Sequence, residues 1–152
     1  MNNTPIEILL AEDNEDDVVL IEESFAEAKL VNMIQVVPNG VELLAYLRKE
    51  GDYTDAKVPG LILMDINMPK MNGFEALQEI KSDPHLKHIP VIMLTTSDRD
   101  EDIVQSYSDG ACSYVTKPVD FDKLKNVANQ FSLYWAMVSR IPPTDNPTMS
   151  AA

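Results

Sequence analysis

The chain has 152 residues, about the length of one ordinary domain, and its 25 acidic and 12 basic residues give a formal net charge of −13. This charge opposes contact with nucleic-acid phosphates, so we expect no nucleic-acid partner. The single cysteine, Cys112, excludes an internal disulfide, and no run approaches the roughly 20 apolar residues of a membrane helix, so we expect a cytoplasmic domain without a membrane partner.

The first third of the chain predicts two strands and two helices. Residues 6–11 form a short apolar run typical of a strand, and apolar residues then recur at helical spacing over 18–28. Residues 33–37 predict a second strand. Asn39 is a good N-cap residue with an acid three positions later, so it predicts the start of a second helix, which we expect to end at Gly51.

The rest of the chain continues the same alternation. Continuous apolar runs suit central parallel strands that are covered on both faces. Proline and glycine residues mark the ends of the predicted helices. The predicted elements are a third strand at 61–64, a third helix at 74–80, a fourth strand at 91–94, a fourth helix from 103 to Gly110, a fifth strand at 113–116 and a last helix from Asp120 to about Val138.

Five strands that alternate with five helices predict an α/β fold, with one parallel sheet between two layers of helices. We expect a single doubly wound domain. Residues 139–152 are rich in proline and poor in apolar residues, which predicts a disordered tail and no attached output domain.

Reactive side chains stand at the ends of four predicted strands, where ligands bind in open parallel sheets. Glu12 and Asp13 follow the first strand, Asp65 ends the third, Thr95 ends the fourth and Lys117 follows the fifth. Three carboxylates, one hydroxyl and one amine are therefore expected to meet at one edge of the sheet.

Three neighbouring carboxylates repel one another unless a cation neutralises them, and hard oxygen ligands favour Mg²⁺. A carboxylate beside such a metal can act as a nucleophile and form an aspartyl phosphate, with a hydroxyl and an amine holding the added oxygens. The pattern thus predicts a metal-assisted phosphoryl-acceptor site. Taken singly, each residue is more simply explained as a cap or a solvated surface group, and Asp16 and Asp17 as acids that open the first helix.

Four motifs together resemble the receiver domain of bacterial two-component response regulators, over residues 5–138. The motifs are Ala-Glu-Asp-Asn at 11–14, Met-Asp-Ile-Asn-Met-Pro-Lys-Met-Asn-Gly at 64–73, Leu-Thr-Thr-Ser at 94–97 and Tyr-Val-Thr-Lys-Pro at 114–118. The resemblance implies a flavodoxin-like sheet with strand order 2-1-3-4-5, the order that receiver proteins share. It also implies a cis peptide bond before Pro118.

The resemblance further implies a role for each site residue. Asp65 would be the phosphoacceptor, Thr95 and Lys117 would contact the phosphoryl group, and Tyr114 would turn inward as a switch when Thr95 moves. The implied Mg²⁺ ligands are Asp13 and Asp65 directly, Glu12 through water, and the backbone carbonyl of Asn67.

By the same resemblance, the expected partner is a sensor histidine kinase and the output is a protein-interaction surface for an unknown target. The long connection at 48–60 and the sequence at 95–99 resemble single-domain regulators that work with phytochrome-type kinases. Self-phosphorylation and dephosphorylation with Mg²⁺ are implied, rather than enzymatic turnover of a substrate. Independently of the resemblance, helical spacing puts Leu133 and Met137 on the outer face of the last helix, which predicts a homodimer contact, although isolated exposed apolar residues also occur without any partner.

Other functions stay open at this point. A phosphate sink or relay intermediate would share the whole site. A metal-dependent phosphatase is disfavoured because Asn67 stands where many such enzymes carry a second acid. A flavin or nucleotide binder is disfavoured because the loop after the first strand is acidic rather than glycine-rich.

Overall fold

The structure is a computed structural model that describes residues 7–27, 33–97, 99–100, 103, 113–119, 122–123 and 126. Apart from a few helical positions, the predicted fourth and last helices lie outside the described residues. The same holds for the predicted tail at 139–152, for Cys112, and for the proposed dimer contact at Leu133 and Met137. No helix within the described part is long and apolar enough to cross a membrane.

Five parallel strands form a single sheet in the order β2-β1-β3-β4-β5, which confirms the predicted strand order. Each predicted strand is found within one or two residues of its expected bounds. The elements are β1 (Glu7–Ala11), α1 (Glu15–Glu27), β2 (Met33–Val37), α2 (Gly40–Leu47), a 3₁₀ turn (Gly51–Tyr53), β3 (Leu61–Asp65), α3 (Gly73–Ser82), β4 (Val91–Thr95) and β5 (Ser113–Thr116).

Apolar side chains cover both faces of the sheet, because successive strand residues point to opposite sides. Leu9 of β1 packs into a cluster with Leu43 of α2 and Leu77 of α3. Leu10, its neighbour, packs on the other face with Ile21 of α1. All five residues of β3 and all five of β4 are buried, which explains their continuous apolar sequences. The described elements thus form three layers.

Helix α2 begins where the sequence predicts but ends earlier. Asn39 is its N-cap, and its side chain accepts a hydrogen bond from the Glu42 amide. The predicted end at Gly51 is wrong. The amide of Lys49 donates to Tyr46 and that of Glu50 donates to Ala45, which closes the helix with Lys49 in the left-handed conformation (φ 57°). These two bonds form a Schellman motif in which lysine occupies the position that glycine usually takes.

The loop between β3 and α3 is held from both sides by glycines. The Gly73 amide donates to the Ile66 carbonyl at 2.8 Å, and a Cβ atom at Gly73 would lie 2.5 Å from the Asp65 carbonyl oxygen. The Gly40 amide donates to the Met71 carbonyl at 3.2 Å, and a Cβ atom there would lie 2.8 Å from the same oxygen. These close approaches fix the loop that follows Asp65.

Candidate metal and phosphoryl-acceptor site

The carboxyl ends of β1, β3 and β5 bring Glu12, Asp13, Asp65 and Lys117 into one open groove, as the strand order requires. Thr95 ends β4 beside them and is buried, 1% exposed. We call this site the acidic groove. Its lining residues are Glu12, Asp13, Asn14, Asp17, Asp65, Asn67, Thr96, Lys117 and Pro118.

Three carboxylates form the acidic part of this groove. Glu12, Asp13 and Asp65 each offer an oxygen, and these oxygens lie within 4.8 Å of one another. Glu12 and Asp65 are buried, whereas Asp13 is exposed and opens the set to solvent. Several hard oxygen donors at this spacing, reachable from water, fit a divalent cation such as Mg²⁺. The exposed Asn67, whose backbone carbonyl is the further ligand that the resemblance implies, lines the same groove.

Lys117 carries the positive charge of the groove. Its Nζ atom lies 2.8 Å from Glu12 Oε1, 2.9 Å from Asp17 Oδ2 and 3.3 Å from Asp65 Oδ1. Its backbone amide donates to the Thr95 carbonyl at 2.7 Å, which ties the lysine to the end of β4. The Lys117–Pro118 peptide bond is cis, as the resemblance implied.

Burial and charge crowding perturb the groups of the groove. Desolvation, with repulsion from Asp65, raises the pKa of Glu12 to about 7, although Lys117 and the Asn14 amide oppose this. Desolvation also raises the pKa of Asp65 against the opposing effect of Lys117. Burial alone would lower the pKa of Lys117, but its hydrogen bonds to Glu12 and Asp17 and the charge of Asp65 raise it above its usual value. Negative charge therefore exceeds positive charge in a poorly solvated place, which favours the entry of a cation.

Two of the predicted site residues, Tyr114 and Thr95, do not line the groove. Tyr114 lies half-buried in β5 and packs against the apolar cluster on the α2–α3 side of the sheet. Thr95 likewise lies next to the groove rather than in its lining, whereas its neighbour Thr96 contributes to the lining.

The contact of Asp17 with Lys117 was not predicted from the sequence, in which Asp17 was explained only as an acid that opens α1. The sequence carried a signal that Asp17 faces the sheet, although none for its contact with Lys117. Asp17 lies four residues before Ile21, so the two residues share a helix face, and Ile21 is fully buried against the sheet. The role of Asn14 was also missed: its side chain accepts hydrogen bonds from the amides of Asp16 (2.9 Å) and Asp17 (3.2 Å) and thereby caps α1.

The parallel sheet and the carboxylates beside Lys117 define the class of protein, and comparison with known proteins agrees. Residues 8–129 match the family described as the response regulator receiver domain, and the chain belongs to that family. Receiver domains are components of two-component systems in which histidine kinases phosphorylate an aspartate. The predicted family and fold class are therefore confirmed.

Several relatives are similar over nearly the whole chain. The response regulator Rcp1 of Synechocystis sp. (strain PCC 6803) is 34% identical over 141 residues, which cover 93% of this chain and 96% of Rcp1. The bacteriophytochrome response regulator RtBRR is 38% identical with a TM-score of 0.81, covering 92% of this chain and 86% of its own. The phosphorylated cyanobacterial phytochrome response regulator RcpA is 40% identical with a TM-score of 0.72, and the match covers 92% of this chain and 100% of the RcpA chain.

The structure of Rcp1 was solved in a Mn²⁺-bound form, and this chain superposes on it with a TM-score of 0.70, covering 91% of this chain and 100% of that one. Receiver domains thus bind a divalent metal, in agreement with the carboxylate set of the acidic groove. The relatives support the predicted similarity to regulators of the phytochrome group.

Proposed function

We propose that this protein is a phosphorylation-controlled signalling module in which Asp65 accepts a phosphoryl group from a phosphohistidine of a sensor histidine kinase. One observation carries this proposal. The Asp65 carboxylate lies 3.3 Å from an ammonium group and beside two further carboxylates, in a groove that opens to solvent. A nucleophile, a cation-binding set and a fixed positive charge therefore occupy one place.

Asp13 and Asp65 would hold the metal through their side chains, Asn67 would hold it through its backbone carbonyl, and Glu12 would act through water. When bound, Mg²⁺ supplies positive charge that offsets the negative charge of the transferring phosphoryl group. The four positions are supported by the acidic groove, in which the three carboxylates meet and Asn67 lines the wall.

In the transfer itself, an Oδ atom of Asp65 forms a bond to phosphorus while the bond from phosphorus to the histidine nitrogen breaks. The electron pair of that bond stays on the histidine nitrogen, and the imidazole leaves as a neutral group because its other ring nitrogen carries a proton. The Lys117 ammonium donates hydrogen bonds to the phosphoryl oxygens, where negative charge is concentrated.

The signalling step depends on a surface with two states. The Thr95 hydroxyl contacts the phosphoryl group only after transfer, and Tyr114 turns into the space that Thr95 leaves. Phosphorylation acts by making contacts that only one of the two states can form, so it shifts their populations. The position of Thr95 at the end of β4, bonded through its carbonyl to Lys117, supports this coupling.

The partner we propose is a phytochrome-type histidine kinase. RtBRR and RcpA are named as phytochrome response regulators and are 38% and 40% identical to this chain over most of its length. This likeness supports the same class of kinase here. The downstream partner is a protein rather than a nucleic acid, because a net charge of −13 repels phosphate backbones.

Phosphoryl transfer to Asp65 is the test. The wild-type protein and Asp65→Asn are incubated with Mg²⁺ and either acetyl phosphate or a phosphorylated phytochrome-type kinase, and acid-labile phosphoprotein is measured on a phosphate-retarding gel. We expect label on the wild type only, and none when a chelator is present. Equal label on both proteins would place the acceptor elsewhere, and no label from either donor would contradict the proposal.

A further inference from the structure

The first turn of α1 carries three consecutive acids that differ in what they face. Glu15 and Asp16 are exposed, and each lies four residues before an exposed residue, Val19 or Leu20. Asp17 lies on the buried face of the helix instead, and its carboxylate accepts a hydrogen bond from Lys117 Nζ at 2.9 Å. The exposed acids need no explanation beyond the helix dipole, which favours negative charge at this end. The helix dipole does not explain the contact of Asp17 with Lys117, which requires a separate explanation.

Asp17 differs from the other two carboxylates that contact Lys117. Glu12 and Asp65 belong to the set of carboxylates that fits a cation, and Asp65 is also the acceptor. Both of them change their electrostatic surroundings during a phosphorylation cycle. Asp17 lies outside that set, so it can hold the ammonium at all stages of the cycle.

The local structure holds Asp17 in place. The Asn14 side chain accepts a hydrogen bond from the Asp17 amide at 3.2 Å, and the Asn14 amide donates to Glu12 Oε2 at 3.1 Å. The loop after β1 therefore sets the position of Glu12 and that of Asp17 together. The Asp17 side chain is only 26% exposed, so water screens its charge less than that of Asp16.

We propose that Asp17 is a positioning residue for phosphoryl transfer, which holds the Lys117 ammonium where it meets the phosphoryl oxygens on Asp65. The inference rests on the proposed function. It adds a carboxylate of α1 to the groups that determine the rate of transfer. Lysine has a long flexible side chain that can adopt many conformations. A hydrogen bond to a carboxylate outside the reacting groups restricts the Lys117 ammonium to fewer positions.

The test compares Asp17→Asn with the matched control Asp16→Asn, which removes the same charge from the neighbouring position of the same helix turn. The rate of labelling is measured against acetyl phosphate concentration with saturating Mg²⁺. For Asp17→Asn we expect a maximal rate about tenfold lower with little change in the half-saturating donor concentration. For Asp16→Asn we expect a rate within about twofold of wild type. Asp17→Glu, which keeps the carboxylate, should recover most of the loss.

Two further measurements separate positioning from a general effect. In a Lys117→Ala background, Asp17→Asn should cause no additional loss, because the residue acts through Lys117. Calorimetric titration with Mg²⁺ should give an affinity for Asp17→Asn within about twofold of that for Asp16→Asn, because Asp17 lies outside the carboxylate set.

Each contrary result has a definite meaning. Equal slowing by both asparagine variants, an equal effect of Asp17→Asn in both backgrounds, or a selective tenfold loss of Mg²⁺ affinity would overturn the positioning role. Faster labelling of Asp17→Asn would also overturn the positioning role, since it would mean that Asp17 keeps the Lys117 ammonium away from the phosphoryl oxygens. Absence of label on the wild-type protein would instead contradict the proposed function, and this inference with it.

Discussion

Two polar clusters of the molecule use similar groups at similar distances but differ in burial. In the acidic groove, Lys117 lies 2.8 Å from Glu12, and the two side chains are 13% and 0% exposed. Between α2 and α3, Arg48 lies 3.3 Å from Glu79 and 3.5 Å from Asp83, and the Arg48 side chain is 34% exposed. We call the second cluster the α2–α3 network.

Burial, rather than charge or distance, decides what each cluster can do. Water and salt screen the charges of the α2–α3 network. Its ion pairs therefore contribute little to stability and exert only a weak electric field on nearby groups. In the acidic groove the screening is weak, so the excess negative charge destabilises the folded protein. Binding of a cation there reduces the repulsion and is therefore favourable. A charge imbalance therefore indicates a functional site only where the charges are too buried for solvent to screen them.

The largest expected effect comes from removing the cation of each cluster. Lys117→Met leaves buried carboxylates without their partner and should lower the free energy of unfolding at pH 8 by about 3 kcal/mol. Arg48→Met, its counterpart in the α2–α3 network, should lower it by less than about 1 kcal/mol. Urea unfolding of both variants in the presence of a chelator measures the difference. Similar losses in the two variants would mean that burial does not distinguish the clusters.

Replacement of Glu12 should give the next largest change in the free energy of unfolding, an increase rather than a decrease. Because the pKa of Glu12 is about 7 in the folded protein and 4.5 ordinarily, folding favours the protonated carboxyl. This contribution to stability is fully present below pH 4.5 and is lost as the pH rises through 7. Glu12→Gln should therefore raise the free energy of unfolding at pH 8 by about 2 kcal/mol without divalent cation.

The gain from Glu12→Gln should shrink as the pH falls from 7 to 4.5, because the wild-type carboxyl then becomes protonated. Urea unfolding at pH 8 and at pH 5, with chelator, follows this change. A variant that is less stable than wild type at pH 8 would show that the Lys117 ion pair outweighs the desolvation of Glu12.

Binding of the cation should give the smallest of the three changes in the free energy of unfolding. Mg²⁺ at ten times its Kd should raise the free energy of unfolding of the wild-type protein by about 1.4 kcal/mol, since it binds the folded state. Asp13→Asn should remove most of this increase, because Asp13 is the exposed carboxylate of the set. Thermal unfolding across a Mg²⁺ titration measures both. An undiminished increase in the variant would exclude Asp13 as a ligand.

Much of the groove could be predicted because parallel strands place their carboxyl ends at one edge. Once 61–64 and 91–94 are identified as strands of one parallel sheet, Asp65 and Thr95 must lie at the same edge of that sheet, whatever the connecting helices do. Asn39 was predictable as a cap for a similar reason, since capping depends on residues three positions apart. Strand order itself does not follow from such local patterns and came from the family resemblance.

What could not be predicted depends on contacts between distant parts of the chain. Asp17 and Lys117 are 100 residues apart in sequence, and only the docking of α1 on the sheet brings them together. The end of α2 was misplaced because the left-handed position is taken by Lys49, a residue that gives no local signal for it. The half-buried place of Tyr114 against the α2–α3 side likewise depends on packing.

The two glycines that hold the loop after β3 have a consequence for sequence variation. Gly40 and Gly73 have no side chains, yet an added methyl group at either would collide with backbone oxygens at 2.8 Å or less. Tolerance to substitution in this loop is therefore set by the space beside the backbone rather than by side-chain exposure. The side chain of the exposed Asn67 is free of this constraint, whereas Lys70 is held in the left-handed conformation (φ 68°) and the two glycines keep the path of the chain constant.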